Sequence, residues 1–344
     1  LEAQLLKSKR DVPVVHVIRG LTSFIIVLYH FCNFSDQRGA FFPEESLIVR
    51  GTHDFFDAVN VFFFISGFIL PWALHCSDYK LVNYPRYFLK RILRIHPPYF
   101  LSVIIFVSII AGFQIYFNVP VDIEVKKLIA HFFYAIPFLD MDWFNVIYWT
   151  LAVEIQFYII VGFIFPLLNS TNEVVKYIPI VGLLIAGYFF PSHDFVTGYS
   201  IPFSAGMLFF LYFKTESNLR YVPLLICFTL VGFQYFYFSY SPVRTIFLVV
   251  TIIMLMINWP VNSWLNWLGD TSYSLYLTHG FLGNWFIYNI KYRIDGFYWQ
   301  VLLLIDAIII SLIGARIFYY IIENPSKKWA AKIRYKKQNV KVSL

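Results

Sequence analysis

The chain has 344 residues, of which 59% are hydrophobic, 21% aromatic and only 14% charged, with a mean hydropathy of +0.65 and a formal net charge of +7. A soluble domain of this size carries about 25% charged residues, so the composition excludes a soluble enzyme and describes a polytopic membrane protein in one bundle. The positive balance is not a nucleic-acid signal, because much of it collects in two end segments where membrane topology accounts for it, and Cys32, Cys76 and Cys227 are too scattered for a zinc site or a disulfide framework.

Residues 1–13 read as a basic cytoplasmic tail with Lys7, Lys9 and Arg10, too polar for a cleavable signal peptide. The first predicted span is 14–34. Arg19 and His30 lie eleven residues apart in it. At about 100° per residue their side chains share nearly one face, ~16 Å apart along the axis. An ionisable group inside a bilayer marks a functional site. The competing reading is a positive-inside arginine at a helix mouth and a structural histidine bonded to a neighbouring helix. A mixed loop with Arg38 follows over 35–56. The second span is 57–75, with Asp57 as an N-cap or first-turn acid. Its Ser66-Gly67 pair either lets another helix approach or breaks the run.

The connector 76–98 is the most basic: Lys80, Arg86, Lys90, Arg91, Arg94 and His96. Over 84–95 cationic and apolar residues alternate at helical spacing, which predicts an interfacial amphipathic helix. Pro97 and Pro98 are expected to break it before the third span, 99–117.

The loop 118–142 is net acidic through Asp122, Glu124, Asp140 and Asp142. Its apolar part, 130–139, is too short to span and reads as re-entrant or interfacial. The fourth span, 143–168, holds Glu154 and Gln156. Spans five to eight are 177–190, 199–213, 221–238 and 243–258. The ninth, 264–288, contains Thr271, Ser272, Ser274, Thr278 and His279, the hydroxyls reading as helix-packing groups. The tenth, 299–322, carries Asp306 early and Arg316 late, and 323–344 is a basic tail. The predicted fold is therefore an all-α bundle of about ten transmembrane helices. An even count puts both termini on the cytoplasmic side, together with the basic connector.

In this orientation Arg19 lies at the cytoplasmic mouth. His30 and Glu154 fall near the midplane, each ~16 Å from its helix mouth. A buried carboxylate needs a partner or a proton, and His30, Arg19, Arg91 or Arg94 can supply it. His279 and Asp306 fall in the outer half. The pattern is a polar track from a cationic inner mouth to an outward acceptor site. The plainer alternatives are interhelical glue for Glu154 and a satisfied structural histidine for His279. Lys90, Arg91 and Arg94 read either as topology and lipid contacts or as a phosphate site, since guanidinium forks match phosphate oxygens. There is no GxGxxG, Walker or HExxH sequence, and no metal is expected.

Five stretches together resemble the membrane acyltransferase-3 family, the bacterial integral-membrane O-acyltransferases of surface and exopolysaccharides. They are Arg19 with His30, VNVFFFISGF at 59–68, YFLKRILRIHPPYF at 87–100, YWTLAVEIQFY at 148–158 and WLGDTSYSLYLTHG at 267–280. The resemblance implies about ten helices and a transmembrane acyltransferase domain over 14–322. It implies an acyl-CoA donor, usually acetyl-CoA, used from the cytoplasm, and a sugar hydroxyl of a surface, exo- or lipid-linked polysaccharide as acceptor. It makes Arg19 and His30 the functional pair and Arg91 and Arg94 the paired arginines. One departure is visible: Asn60 stands where relatives carry an acid, with Asp57 one turn earlier. Some relatives add an esterase-like domain, so this domain is expected to act alone or with a separate partner. The resulting expectation is an inner-membrane O-acetyltransferase. His30, Glu154 and Arg19 form its catalytic set, and Arg91, Arg94 and Lys90 hold the donor. His279, Asp306, Asp57 and Asn60 lie on the acceptor side. Expected partners are membrane lipids, the sugar acceptor, polysaccharide-assembly proteins or a second copy. The rival functions are a transporter or flippase of a polyprenyl-linked sugar or acidic solute, an N-acyltransferase, and a membrane scaffold.

Overall fold

The computed structural model describes residues 12–36, 39–215, 217–237, 242–257 and 261–335. The tail cations Lys7, Lys9, Arg10, Lys336, Lys337 and Lys341, and Arg38 of the first loop, lie outside these. The helices in chain order are α1 (Pro13–Cys32), α2 (Leu47–Thr52), α3 (Val59–Cys76), α4 (Tyr84–Tyr116), α5 (Val125–Phe132), α6 (Trp149–Leu168) and α7 (Ile178–Phe189). They continue as α8 (Ser200–Lys214), α9 (Tyr221–Tyr237), α10 (Pro242–Met256), α11 (Ser263–His279), α12 (Trp285–Ile290), α13 (Phe297–Phe318) and α14 (Asn324–Lys332). A two-residue antiparallel ladder, Ser35–Asp36 with Gly39–Ala40, closes the loop after α1. The chain is an all-α multi-pass membrane bundle. Six helical stretches among the described residues are long and apolar enough to cross a bilayer: Pro13–Cys32, Leu47–Cys76, Leu81–Tyr116, Val146–Leu168, Val196–Lys214 and Phe297–Lys332. The fifth, seventh and eighth predicted spans fall on shorter apolar helices. The ninth is α11, continued through a π-helical turn, Gly280–Asn284, into α12.

Lipid tails are as apolar as leucine, so helices here associate by close packing rather than by hydrophobic burial. Two crossings are closed by facing glycines. A Cβ on Gly67 of α3 would lie 2.4 Å from the Phe203 carbonyl oxygen of α8, and one on Gly206 would lie 2.2 Å from that of Phe64. Of the two roles open to Ser66-Gly67, close packing is the one realised, and α3 runs unbroken. The second glycine crossing joins α1 to α11 at Gly20 and Gly269.

Several expectations are corrected. The amphipathic stretch 84–95 is not a separate helix: α4 runs unbroken through Pro97 and Pro98. Membrane helices tolerate proline where neighbours supply partners for the disturbed backbone, and the Tyr273 hydroxyl donates to the Ile95 carbonyl just before the pair. Asp57 is not an N-cap. It sits in a 3-10 segment, His53–Ala58, and α3 has no acid in its first turn. By contrast, residues 130–139, read as too short to span, divide between α5 and a 3-10 turn, Ile136–Phe138. The first residues of the predicted tail 323–344 are helical. Glu323 is buried in a second π-helical turn and α14 packs along α4.

Candidate active site

The site is organised by α1. Its pairing with α11 is parallel and in constant register. Gly20 meets Gly269, the Ser23 hydroxyl donates to the Ser272 carbonyl at 3.0 Å, and the His30 and His279 rings are 5.1 Å apart. All three pairs have the same sequence offset, so one rigid seam sets the position of His30. His30 lines a cavity of about 300 Å³. Tyr29, Phe56, Trp149 and Tyr276 supply its aromatic walls, and Asn33, Thr150 and Asn284 its hydrogen-bonding groups. The Tyr276 hydroxyl donates to the Ile147 carbonyl at 2.8 Å and meets the Thr150 hydroxyl at 2.7 Å, which fixes one wall. Asn284 Oδ1 is buried without a hydrogen-bond partner, as is His279 Nε2. Buried polar atoms are normally paired, so Asn284 Oδ1, on the cavity lining, is an acceptor open to a donor that enters it.

Eleven residues earlier on the same helix lies a cationic cluster. Arg94 is close enough to Arg19 and Arg91 to feel both charges, and His16, one turn before Arg19, lies in the same field with Lys327. Arg91 stacks near the rings of Tyr87 and Tyr158, and its Nε is buried without a partner. Among the described residues none of Arg19, Arg91 and Arg94 forms a salt bridge. Arg94 also feels the Glu323 carboxylate, but that group is paired with Lys327, so the gathered like charges still repel unless a further anion joins them. The cluster therefore has the donor chemistry of a phosphate site.

Other predicted residues go elsewhere. Glu154 does not reach His30. It accepts from Ser66 and Tyr158, and Tyr158 in turn stacks near Arg91, so the carboxylate belongs to the cationic end. Lys90 lies over the Tyr335 ring at 5.9 Å. Asp57 forms an ion pair with Arg244 at 2.6 Å, and Asn60 donates to the Asp57 carbonyl. Both serve the α3–α10 contact rather than the cavity. Asp306 is exposed on α13. Thr271, Ser272 and Thr278, read as helix-packing hydroxyls, donate back to carbonyls of α11 itself.

Sequence reading missed Tyr276, Asn284, Tyr158, Glu323 and Lys327. Glu323 accepts from the backbone and hydroxyl of Ser274, and Lys327 bridges to Glu323 at 2.7 Å and to the Asp270 carbonyl. The i, i+4 spacing of Glu323 and Lys327 was the one visible signal; the others needed the fold.

A family model described as an acyltransferase domain matches residues 13–320. The chain belongs to this acyltransferase-3 family. Among curated proteins, the acyltransferase is similar to one of Acidianus two-tailed virus named "Putative acetyltransferase ORF330". The two are 24% identical over 294 residues, covering 78% of this chain and 82% of the viral protein. No solved structure matches. The protein is thus a membrane-embedded acyltransferase, and an acyl-CoA-type donor follows from the family. No group of three or more His, Cys, Asp or Glu is placed to hold a metal among the described residues.

Proposed function

We propose that this acyltransferase moves an acetyl group from cytoplasmic acetyl-CoA to a sugar hydroxyl of a surface, exo- or lipid-linked polysaccharide. The observation that carries the reading is α1 itself, with an unpaired cationic cluster near one end and an imidazole in a polar cavity near the other. Arg19, Arg91 and Arg94 hold the CoA phosphates, with Lys90 at the periphery. The pantetheine arm reaches along α1 toward His30. His30 takes the proton of the acceptor hydroxyl while that oxygen attacks the thioester carbonyl. The carbon–sulfur bond breaks, and the departing thiolate takes the proton back from the imidazolium. Glu154 orients Tyr158 and Arg91 at the donor end and does not touch the imidazole. The acceptor side is the cavity: aromatic walls with amide and hydroxyl groups suit the apolar faces and hydroxyls of a pyranose. His279 packs against His30 without lining the cavity, and Asp306, Asp57 and Asn60 are not part of it.

The same reading places ten crossings in the cytoplasmic membrane with both termini inside. Parallel packing of α1 and α11 supports it, because the first and ninth of ten spans run in the same direction. Membrane lipids surround the bundle, and a polysaccharide-assembly protein or a second copy is the expected protein partner.

Mass spectrometry of surface polysaccharide from cells with and without the gene tests the function. The expected result is the loss of one acetyl mass per modified repeat. An unchanged polysaccharide, with purified protein in nanodiscs that transfers no label from acetyl-CoA to it, overturns the reading.

A further inference from the structure

The register of α1 against α11 puts two histidines together in the interior. The His30 and His279 ring centroids are 5.1 Å apart with the planes inclined at 36°. His279 is fully buried, and its Nδ1 lies 3.1 Å from the Leu275 carbonyl oxygen one turn back on α11. A carbonyl only accepts, so Nδ1 carries the proton and Nε2 is left as a bare acceptor. That Nε2 is buried and has no partner. His30 lines the cavity and His279 does not. Immediately after His279 the helix widens into the π-helical turn Gly280–Asn284. Such turns are frequent at functional sites. Gly283 in this turn packs against Phe31, the residue after His30, where a Cβ would meet the ring at 2.0 Å.

We infer that His279 is a positioning residue for His30: its bare Nε2 accepts the N–H of one His30 nitrogen and so keeps the other His30 nitrogen unprotonated toward the cavity. Rings at this centroid distance, when turned edge to edge, bring nitrogens to about 3 Å, which is hydrogen-bond length. The inference rests on the reading of His30 as the base. The Leu275 carbonyl sets the tautomer of His279, and His279 sets that of His30. When His30 takes the acceptor proton, both its nitrogens bear hydrogen. The one facing His279 stays hydrogen-bonded, so the cation forms without reorganising its surroundings. The proton returns to the leaving CoA thiolate, and His279 neither gains nor loses one. The same division of labour, one histidine moving the proton and a fixed acceptor holding its tautomer, operates in hydrolase triads with a carboxylate as acceptor.

The test uses the full chain in nanodiscs, with ¹⁵N-labelled histidine and acetyl-CoA as the probe, following release of CoA thiol. His30 signals are assigned by their disappearance in His30→Gln. In the unaltered chain His30 is expected as one neutral tautomer. In His279→Leu it should become a mixture, and thiol release should fall ~10- to 100-fold, as for loss of a group that orients a functional histidine, with acetyl-CoA affinity unchanged. In His279→Gln the amide oxygen replaces Nε2 as acceptor, so the single tautomer should return and the rate should stay within a few-fold of the parent. A tautomer mixture in the unaltered chain overturns the inference without any variant. So does His279→Gln as slow as His279→Leu, which would make His279 a proton carrier. Equal rates in all three chains would make it a packing residue. His30→Gln retaining the parent rate would instead sink the parent reading that His30 is the base, a separate outcome.

Discussion

Gly20 of α1 and Gly269 of α11 meet backbone to backbone. A methyl on Gly20 would lie 2.8 Å from the Gly269 nitrogen, and one on Gly269 would lie 2.3 Å from the His16 carbonyl oxygen. Ten residues further along each helix stand His30 and His279, so the crossing sets the geometry of the site from a distance. Gly20→Ala should therefore destabilise the bundle by about 1–3 kcal/mol, the usual cost of overpacking, and lower acetyl transfer in the molecules that still fold. Gly112→Ala on α4, where a Cβ meets nothing within 4 Å, should be neutral or slightly stabilising. Thermal unfolding in detergent, read beside thiol release, compares the two. Equal behaviour would mean the α1–α11 seam is looser than its backbone distances.

What could be read from the chain follows the range of each interaction. Arg91 and Arg94 lie on one helix, where periodicity alone aligns side chains, and Arg94 stands with Arg91 and Arg19 in the fold. Arg19 and His30, by contrast, share α1 but lie near its opposite ends. Pairings across the bundle were out of reach. His30 finds His279 only through a register fixed at Gly20 and Gly269, and Asp57 finds Arg244 across 187 residues. Glu154 faces Ser66 and Tyr158 rather than His30, because residue count along α6 says nothing of how α6 packs on α3 and α4. Pro97 and Pro98 misled for a different reason. The rule that proline ends a helix is one for water, and within a membrane bundle neighbouring groups support the backbone.

Arg91→Ala with Arg94→Ala should abolish most acyl-CoA binding while the protein still elutes as a folded species. Two guanidiniums without carboxylate partners give up no internal ion pair when removed. Lys at both positions should restore binding only in part, because an ammonium cannot form the bidentate fork. Lys90→Ala, over the Tyr335 ring, should change affinity little. Calorimetry with CoA ranks the three. Unchanged affinity in the double Ala variant would return the pair to lipid contacts.

Asp57 and Arg244 join the start of α3 to α10, with side chains only 10% and 16% exposed. Removing one partner leaves an uncompensated charge, which costs about 3–5 kcal/mol when the pair is buried. Arg244→Ala should thus lower the unfolding temperature sharply, whereas acetyl transfer per folded molecule should hold, since neither residue lines the cavity. A stable Arg244→Ala protein with reduced acceptor affinity would move Asp57 back to the acceptor side.

His131 lies on α5, outside the six long apolar stretches. Its Nδ1–H donates to the Lys127 carbonyl at 2.8 Å, and its Nε2 accepts the Phe144 N–H at 3.1 Å. Burial pushes its pKa down from 6.5 to about 4. The unfolded chain therefore binds a proton between pH 6.5 and about 4 while the folded one does not. Stability falls as pH drops through that window. His131→Gln, which can still accept from Phe144, should be less stable than the parent near pH 7 and lose less on acidification. Parallel unfolding curves of the two proteins between pH 7 and 4 would show that His131 titrates normally when folded.

His30 faces the cavity from α1, at the far end of the seam from Arg19. Loss of a positioned acid–base group typically lowers a rate ~100- to 10,000-fold. His30→Ala should fold, bind acetyl-CoA with parent affinity at Arg19, Arg91 and Arg94, and transfer almost nothing. His30→Gln should be nearly as slow, because an amide keeps a hydrogen bond but cannot take a proton. Its contrast with His279→Gln separates the two histidines: the same substitution should stop the reaction at the residue that moves the proton and spare it at the one that only accepts a bond. Single-turnover transfer to isolated surface polysaccharide, with acetyl-CoA binding measured on the same sample, decides the matter. If His30→Gln keeps more than about a tenth of the parent rate, above the range expected for a lost base, the imidazole is structural. Rate and CoA affinity falling together in His30→Ala would place His30 on the donor path.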